Sequence, residues 1–343
     1  MTLQKSVYRS EIDQLNRQIE LIKRIAKLNS KLLDLNWIFF HPYNQGFEVE
    51  YFEKIIRDFS GKKAEEKIFE QHARKFLNLE LTITFVDGFY RKRPYLSDFA
   101  DQVEESILLC IQKDFGGAIT LIIPTIEGTI RNYLISKKGN SAKSAIKLGD
   151  LKVAFKYMAD DYVKLQSHYL EQRFGHLKQT DGYFDHNQKK QILKKHRTYF
   201  DLWMDQLIKY LNNSFYADTR KSKQLVDKFN RHNLVHGMEH VDYNFRNYLR
   251  LLNCLNYLNW AIGEIHKDCS PLAEIEESLV KSKWLEYFKV LIISESITDS
   301  KRKILGKEIE SFNRFIDKRL TKPLSLSTSI HKQLLKVNDR LNR

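Results

Sequence analysis

Thirteen glycines and five prolines in 343 residues leave this chain with few of the residues that break helices. Between them, apolar residues recur at three- and four-residue spacing, the period of one face of an α-helix. Ile12, Leu15, Ile19, Ile22, Ile25 and Leu28 form such a stripe between Ser10 and about Asn36, ahead of an aromatic turn, WIFFHPYNQGF. Further helical segments fill positions 48 to 78. The best strand candidate is Leu79 to Tyr90, LELTITFVDGFY, rich in β-favouring residues, although a short helix or a turn around Asp87-Gly88 fits nearly as well. A more apolar helical block runs from near Ser97 to near Lys267, and Asp268 to Pro271 breaks the pattern. Charged helices follow from Leu272, then a Lys/Arg-rich stretch at Lys301 to Lys307, a linker-like Pro/Ser/Thr tract at Thr321 to Ser329 and a last short helix. The expected fold class is therefore all-α, in three regions: a helical N-terminal region over 1–95, a helical block over 96–270 and a helical C-terminal extension over 271–343. No internal repeat is present.

Lys and Arg number 57 against 43 Asp and Glu, a formal net charge of +14. Such an excess suits a phosphate-rich partner, because cations displace counterions from nucleic acid. A general Lys, Asn and Ile bias explains it equally well. Three scattered cysteines, Cys110, Cys254 and Cys269, make no disulfide framework and point to a reducing compartment. The N-terminus lacks the apolar core of a signal peptide, and no apolar run approaches the roughly 18 residues of a membrane span. A soluble, cytoplasmic protein that does not engage a membrane is the expectation. The chain has no P-loop, no dinucleotide-type glycine pattern and no G-x-S-x-G elbow, which argues against Walker-type nucleotide hydrolysis and serine hydrolase chemistry.

Two helices are sharply patterned. Around IPTIEGTIRNYL, the residues Phe115, Ile119, Ile122, Ile123, Ile126, Ile130 and Leu134 share one face, with Thr120, Pro124, Glu127 and Arg131 opposite. Pro124 should start a new segment or kink the helix, and Glu127 and Arg131, four apart, should meet. From about Asp242 to Ile265, Phe245, Tyr248, Leu249, Leu252, Leu255 and Ile262 form a second stripe. That helix also carries Asn244, Asn247, Asn253, Asn256 and Asn259, expected to be mostly solvated or else to bond a neighbouring helix, in this subunit or a second one.

The stretch Asn230 to Gly237, NRHNLVHG, allows three readings. His232, His236 and His240 have the spacing of a helical metal site, with Glu239 and Asp242 nearby, but a helix end at Gly237 would put His240 off that face. In a plain structural reading Lys223 to His236 is an amphipathic helix whose last turns carry Arg231 and His236 as cations favoured by the helix dipole. In a catalytic reading the imidazole exchanges protons near its ordinary pKa of about 6.5 while the guanidinium holds a phosphoryl oxygen at two points. That combination suits metal-free RNA cleavage by the ribose 2′-OH. Five positions on a regular helix rotate a side chain by about 140°, so Arg231 and His236 converge only if the helix ends, tightens or bends within the motif.

Arg231, four intervening residues and His236, with a polar His232 after the arginine and a glycine after the histidine, resemble the R-x4-6-H motif of the HEPN superfamily of helical ribonucleases. Together with the upstream IPTIEGTIRNYL, the segment is similar to HEPN proteins of phage abortive-infection systems. The resemblance covers about half the chain, from roughly Asp98 to Lys267, and the segment Phe174 to Asn187 departs from a minimal bundle. It implies an up-and-down helical bundle, a homodimer with a composite cleft, an RNA substrate, no metal or other cofactor, and a toxin-like role in antiviral defence. On this basis Arg231 would bind phosphate, His236 would act as acid or base, His232 would support them and Glu127 would orient a partner. Arg220, Lys221 and Lys223 could extend a basic approach for RNA. A neutralising or sensor partner is a further expectation, since an unrestrained intracellular nuclease is harmful. Two other readings stay open: a non-catalytic RNA- or protein-binding module, and a metal-dependent hydrolase centred on His232, His236 and Glu239. The run Lys189 to Arg197 before Tyr199, Phe200 and Trp203 could line an RNA groove, but a helix that buries the apolar residues accounts for it better.

Overall fold

A computed structural model of the chain describes residues 3–40, 47–139, 146–174, 185–217, 230–231, 243–269 and 275–305. Every regular element among the described residues is helical, as the scarcity of Gly and Pro requires. Ten α-helices are described: α1 (Leu3–Leu32), α2 (Phe47–Asp58), α3 (Gly61–Leu77), α4 (Leu79–Ile83), α5 (Ala100–Ile111), α6 (Phe115–Lys138), α7 (Leu148–Phe174), α8 (His186–Asn213), α9 (Phe245–Ile265) and α10 (Glu277–Leu305). Residues 1–291 make one compact unit and 292–343 a second. Within the first, α5 packs on α6, α8 on both α1 and α7, and α9 on α6 and α7.

The strand candidate is helical. Asn78 caps α4 by accepting from the Leu81 amide at 3.3 Å, and a π-helical turn over Thr84–Phe89 continues it. The threonines that favour a pleated strand bond backbone carbonyls instead, Thr82 to Phe76 at 2.8 Å and Thr84 to Glu80 at 2.7 Å. Their hydroxyls thus have partners on helix backbone, in α3 and α4, and Val86, Phe89 and Tyr90 still reach the core.

The aromatic turn after α1 enters the core shared with α8 and α9. Asn29 secures it, donating to the Phe39 carbonyl at 3.1 Å and accepting from the Phe39 amide at 2.7 Å. Phe40 then packs on Tyr257 with ring centroids 4.1 Å apart, beside Trp203 and Trp260. Residues on both sides of position 95 therefore share one core. The aromatics after the Lys189 to Arg197 run belong to it as well: Phe200 and Trp203 are buried on α8, while Arg197 pairs with Asp160 and Asp201.

Helix α9 corrects the expectation of solvated asparagines. Asn244 is its N-cap, and Asn247 and Asn259 are fully buried. Asn253 donates to the Ile38 carbonyl at 2.7 Å, Asn256 accepts from the Tyr90 hydroxyl, and Asn247 accepts from Arg250 at 2.7 Å. These amides satisfy polar groups of the same chain, on α9 itself and on the segments it crosses. Arg250, wholly buried, also reaches the Leu35 carbonyl and Glu65, and Glu65 in turn accepts from Trp37 and pairs with Arg246.

Candidate active site around Glu127 and Arg231

Helix α6 runs without interruption from Phe115 to Lys138 with Pro124 inside it, so Pro124 starts no new segment. Its apolar stripe packs as the spacing requires, with Ile119, Ile122, Ile123, Ile126, Ile130 and Leu134 all buried. Burial extends around the whole helix between Thr125 and Ile130. Thr125 and Thr129 tolerate this because their hydroxyls bond helix carbonyls four residues earlier, at 3.0 and 2.8 Å. Gly128 permits a close approach of another kind: a Cβ there would lie 2.4 Å from the Phe99 ring. Glu127 is the one acid in this buried run, and a carboxylate so placed needs a cation or several donors.

The cation comes from 104 residues downstream. Arg231 grips Glu127 with two nitrogens, Nε on Oε1 and Nη2 on Oε2 at 3.0 Å, the fork geometry that makes Arg–carboxylate pairs strong. The Tyr216 hydroxyl donates to Glu127 Oε1 at 3.0 Å, and its ring lies 5.8 Å from the Arg231 guanidinium carbon. Backbone contacts position the pair. The Arg231 amide donates to the Phe215 carbonyl at 2.7 Å, and the buried Asn230 side chain donates to the Ala217 carbonyl at 2.6 Å. The chain just after α8 and the start of the NRHNLVHG stretch are thereby tied together against α6.

Asn230 itself is non-helical and Arg231 begins a helix, so Lys223 to His236 is not one continuous helix. Arg131, expected to meet Glu127, does not: its Nε is buried with no hydrogen-bond partner, and both Glu127 oxygens are occupied by Arg231 and Tyr216. The hydrogen bond to Glu127 raises the Arg231 pKa still further, so it is permanently charged. Burial, then the Glu127 charge, push the Tyr216 phenol well above its ordinary value, and it acts as a neutral donor. The Arg231 side chain remains 27 % exposed against 9 % for Glu127, and among the described residues nothing bonds its Nη1. The arrangement can thus present an oriented guanidinium edge to an anion.

Of the site residues expected from sequence, Glu127 and Arg231 are brought together. His232, His236, Arg220, Lys221 and Lys223 lie outside the described residues, as do His240, Glu239 and Asp242. Tyr216 and Asn230 escaped assignment. Asn230 stood inside the motif with nothing to suggest a role, while Tyr216, fifteen positions before Arg231, carried no spacing signal. Among the described residues no cluster of three or more His, Cys, Asp or Glu side chains is placed to hold a metal ion, and no helix is long and apolar enough to cross a membrane. Cys110, Cys254 and Cys269 are free thiols. No protein-family model, curated protein or solved structure matches this chain.

Proposed function

We propose that this protein is a metal-independent endoribonuclease. The reading rests on one observation above all: Arg231, five positions before His236, is a part-exposed guanidinium oriented by a buried carboxylate and a phenol. In the proposed reaction His236 removes the proton from a ribose 2′-OH, and that oxygen bonds to the adjacent phosphorus. Arg231 offsets the charge of the pentacoordinate transition state, and the proton taken up by His236 passes to the departing 5′-oxygen, leaving a 2′,3′-cyclic phosphate and a 5′-hydroxyl. His232 supports the imidazole, Glu127 and Tyr216 position Arg231, and Arg220, Lys221 and Lys223 attract the strand. The HEPN resemblance adds a homodimer whose two motifs share a cleft, a cytoplasmic setting, and a toxin-like part in anti-phage defence under a neutralising or sensing partner.

A cleavage assay on RNA in excess chelator tests the proposal. His236→Ala is expected to abolish cutting while the fold persists, and undiminished cutting by that variant overturns the assignment. A second reading has its own support, because an arginine gripping a buried carboxylate and tied to Phe215 is also what a purely structural anchor needs. A non-catalytic RNA- or protein-binding module would show salt-sensitive RNA binding with no turnover. Cleavage that chelator stops and zinc or manganese restores would instead favour a metal-dependent hydrolase built on His232, His236 and Glu239.

A further inference from the structure

A second site lies where α1, α7, α8 and α9 meet. It is a cavity of about 560 Å³ lined by residues of all four helices and by Arg93, and it shares Gln18, Gln166, Tyr169, Tyr199 and Glu264 as lining with a smaller one of about 360 Å³. It shares no lining residue with the Glu127 and Arg231 site. The larger volume lies within the range that holds a small-molecule ligand or cofactor, about 300 to 1,000 Å³.

Its walls divide by chemistry. Tyr169, Tyr199 and Trp260 supply aromatic surface, and Tyr169 stands 38 % exposed at the edge. Gln18 and Gln166 bring amides that both donate and accept. Glu264 adds a carboxyl whose pKa burial raises. At one end stand Arg93 and His266. Arg93 is folded flat against α9, where a Cβ on Gly263 would come 2.8 Å from its guanidinium carbon, so that glycine makes room for the cation. One donor-capable group on these walls is unmet: His266 Nε2 is buried and hydrogen-bonds to none of the described residues. Buried polar atoms left this way are uncommon in folded proteins, and a bound ligand rich in acceptors resolves them.

We infer that this cavity binds a purine nucleoside monophosphate unit, with the base among Tyr169, Tyr199 and Trp260 and the phosphate toward Arg93 and His266. A purine fits on three counts. Its flat faces stack on aromatic rings, its edge mixes donors with acceptors as the two glutamines do, and its phosphate meets a guanidinium and an imidazole. The unit is supplied either by a free nucleotide or by one residue of an RNA strand.

The test is isothermal titration of the full chain with AMP, adenosine, inorganic phosphate and the tetranucleotide of adenylate, in wild type and in Arg231→Ala. Saturable binding of one AMP per chain is expected, unchanged in Arg231→Ala, with adenosine at least tenfold weaker and phosphate weaker still. Tyr169→Ala and Gln166→Ala, both in partly exposed positions, should each weaken AMP at least fivefold without moving the thermal midpoint. If the tetranucleotide competes with AMP, the unit is taken from a strand; if AMP binds and the tetranucleotide does not compete, the ligand is the free nucleotide, and both results support the site. No saturable AMP binding up to millimolar concentration, phosphate binding as tightly as AMP, or full AMP affinity in both Tyr169→Ala and Gln166→Ala overturns it. The endoribonuclease proposal stands or falls separately, on cleavage by the His236→Ala chain.

Discussion

Removing the Glu127 side chain tests whether the pair that anchors the candidate site exists in solution. Glu127→Ala deletes two charge-assisted hydrogen bonds from Arg231 and one bond from Tyr216. Exposed ion pairs contribute about 0.2 to 1 kcal/mol, whereas breaking a fully buried one costs about 3 to 5 kcal/mol. This pair lies between those limits, because Glu127 is buried while a quarter of the Arg231 side chain meets solvent and can turn toward it. A destabilisation of about 2 to 3 kcal/mol is expected for Glu127→Ala and about 2 kcal/mol for Arg231→Ala, which leaves the carboxylate with Tyr216 alone. The double variant should lose about 3 kcal/mol, less than the sum of the singles, giving a coupling of about 1 to 2 kcal/mol. Urea unfolding followed by far-UV circular dichroism on the four proteins measures it. A coupling below about 0.5 kcal/mol, the usual error of additivity for independent sites, would refute the argument that Glu127 holds Arg231 in place.

Three further outcomes follow from the packing. Gly128→Ala should destabilise by about 1 to 2 kcal/mol in the same denaturation assay, because overpacking against Phe99 outweighs the roughly 1 kcal/mol of helix propensity that alanine adds; a gain in stability would mean that the ring gives way freely. Glu65→Gln removes the carboxylate that pairs with the wholly buried Arg250 and should cost about 3 kcal/mol by denaturation, and a near-neutral effect would contradict the role given to that cluster. His72 lies flat against Trp37, and burial, aided by the charges of Lys75 and Arg250, lowers its pKa to about 3. The unfolded chain therefore takes up a proton below about pH 6.5 that the folded chain refuses, and stability should fall by about 2 kcal/mol between neutrality and pH 5 from this residue alone. His72→Phe should show that much less loss over the same interval, and parallel pH profiles for the two proteins would remove His72 as the cause.

What the sequence made legible was local. The α6 stripe needed only the helical period, and each of its residues from Ile119 to Leu134 is buried. The asparagines of α9 needed more, because Asn253 meets the Ile38 carbonyl across 215 positions and Asn256 meets Tyr90 across 166. No spacing rule reaches so far, so the bare composition of the helix suggested solvent. The π-helical turn over Thr84–Phe89 misled in another way. Residue preference reads β-branched side chains as strand, yet threonine hydroxyls that find helix carbonyls remove much of that preference. At the candidate site the same rule favoured Arg131 as partner to Glu127, the nearest cation one turn along. The cation that reaches Glu127 is instead the arginine of the motif, arriving from a separate segment.

That substitution of a distant partner for a near one bears on how the motif is held. Arg231 lies where a helix starts, not in its last turns, and a helix start carries partial positive charge that disfavours a cation. Left to local forces, the guanidinium would extend away into water. The Glu127 carboxylate reverses that preference, and the bond from the Arg231 amide to the Phe215 carbonyl occupies one of the donors that a helix start leaves open. The break at Asn230, sealed by its bond to Ala217, frees Arg231 from the register of the preceding chain. Its direction is then set by α6 and Tyr216. An arginine oriented by tertiary contacts in this way takes its direction from α6 and Tyr216 and not from the register of one long helix. Within one regular helix, residues five positions apart, as 231 and 236 are in sequence, would be turned about 140° from each other.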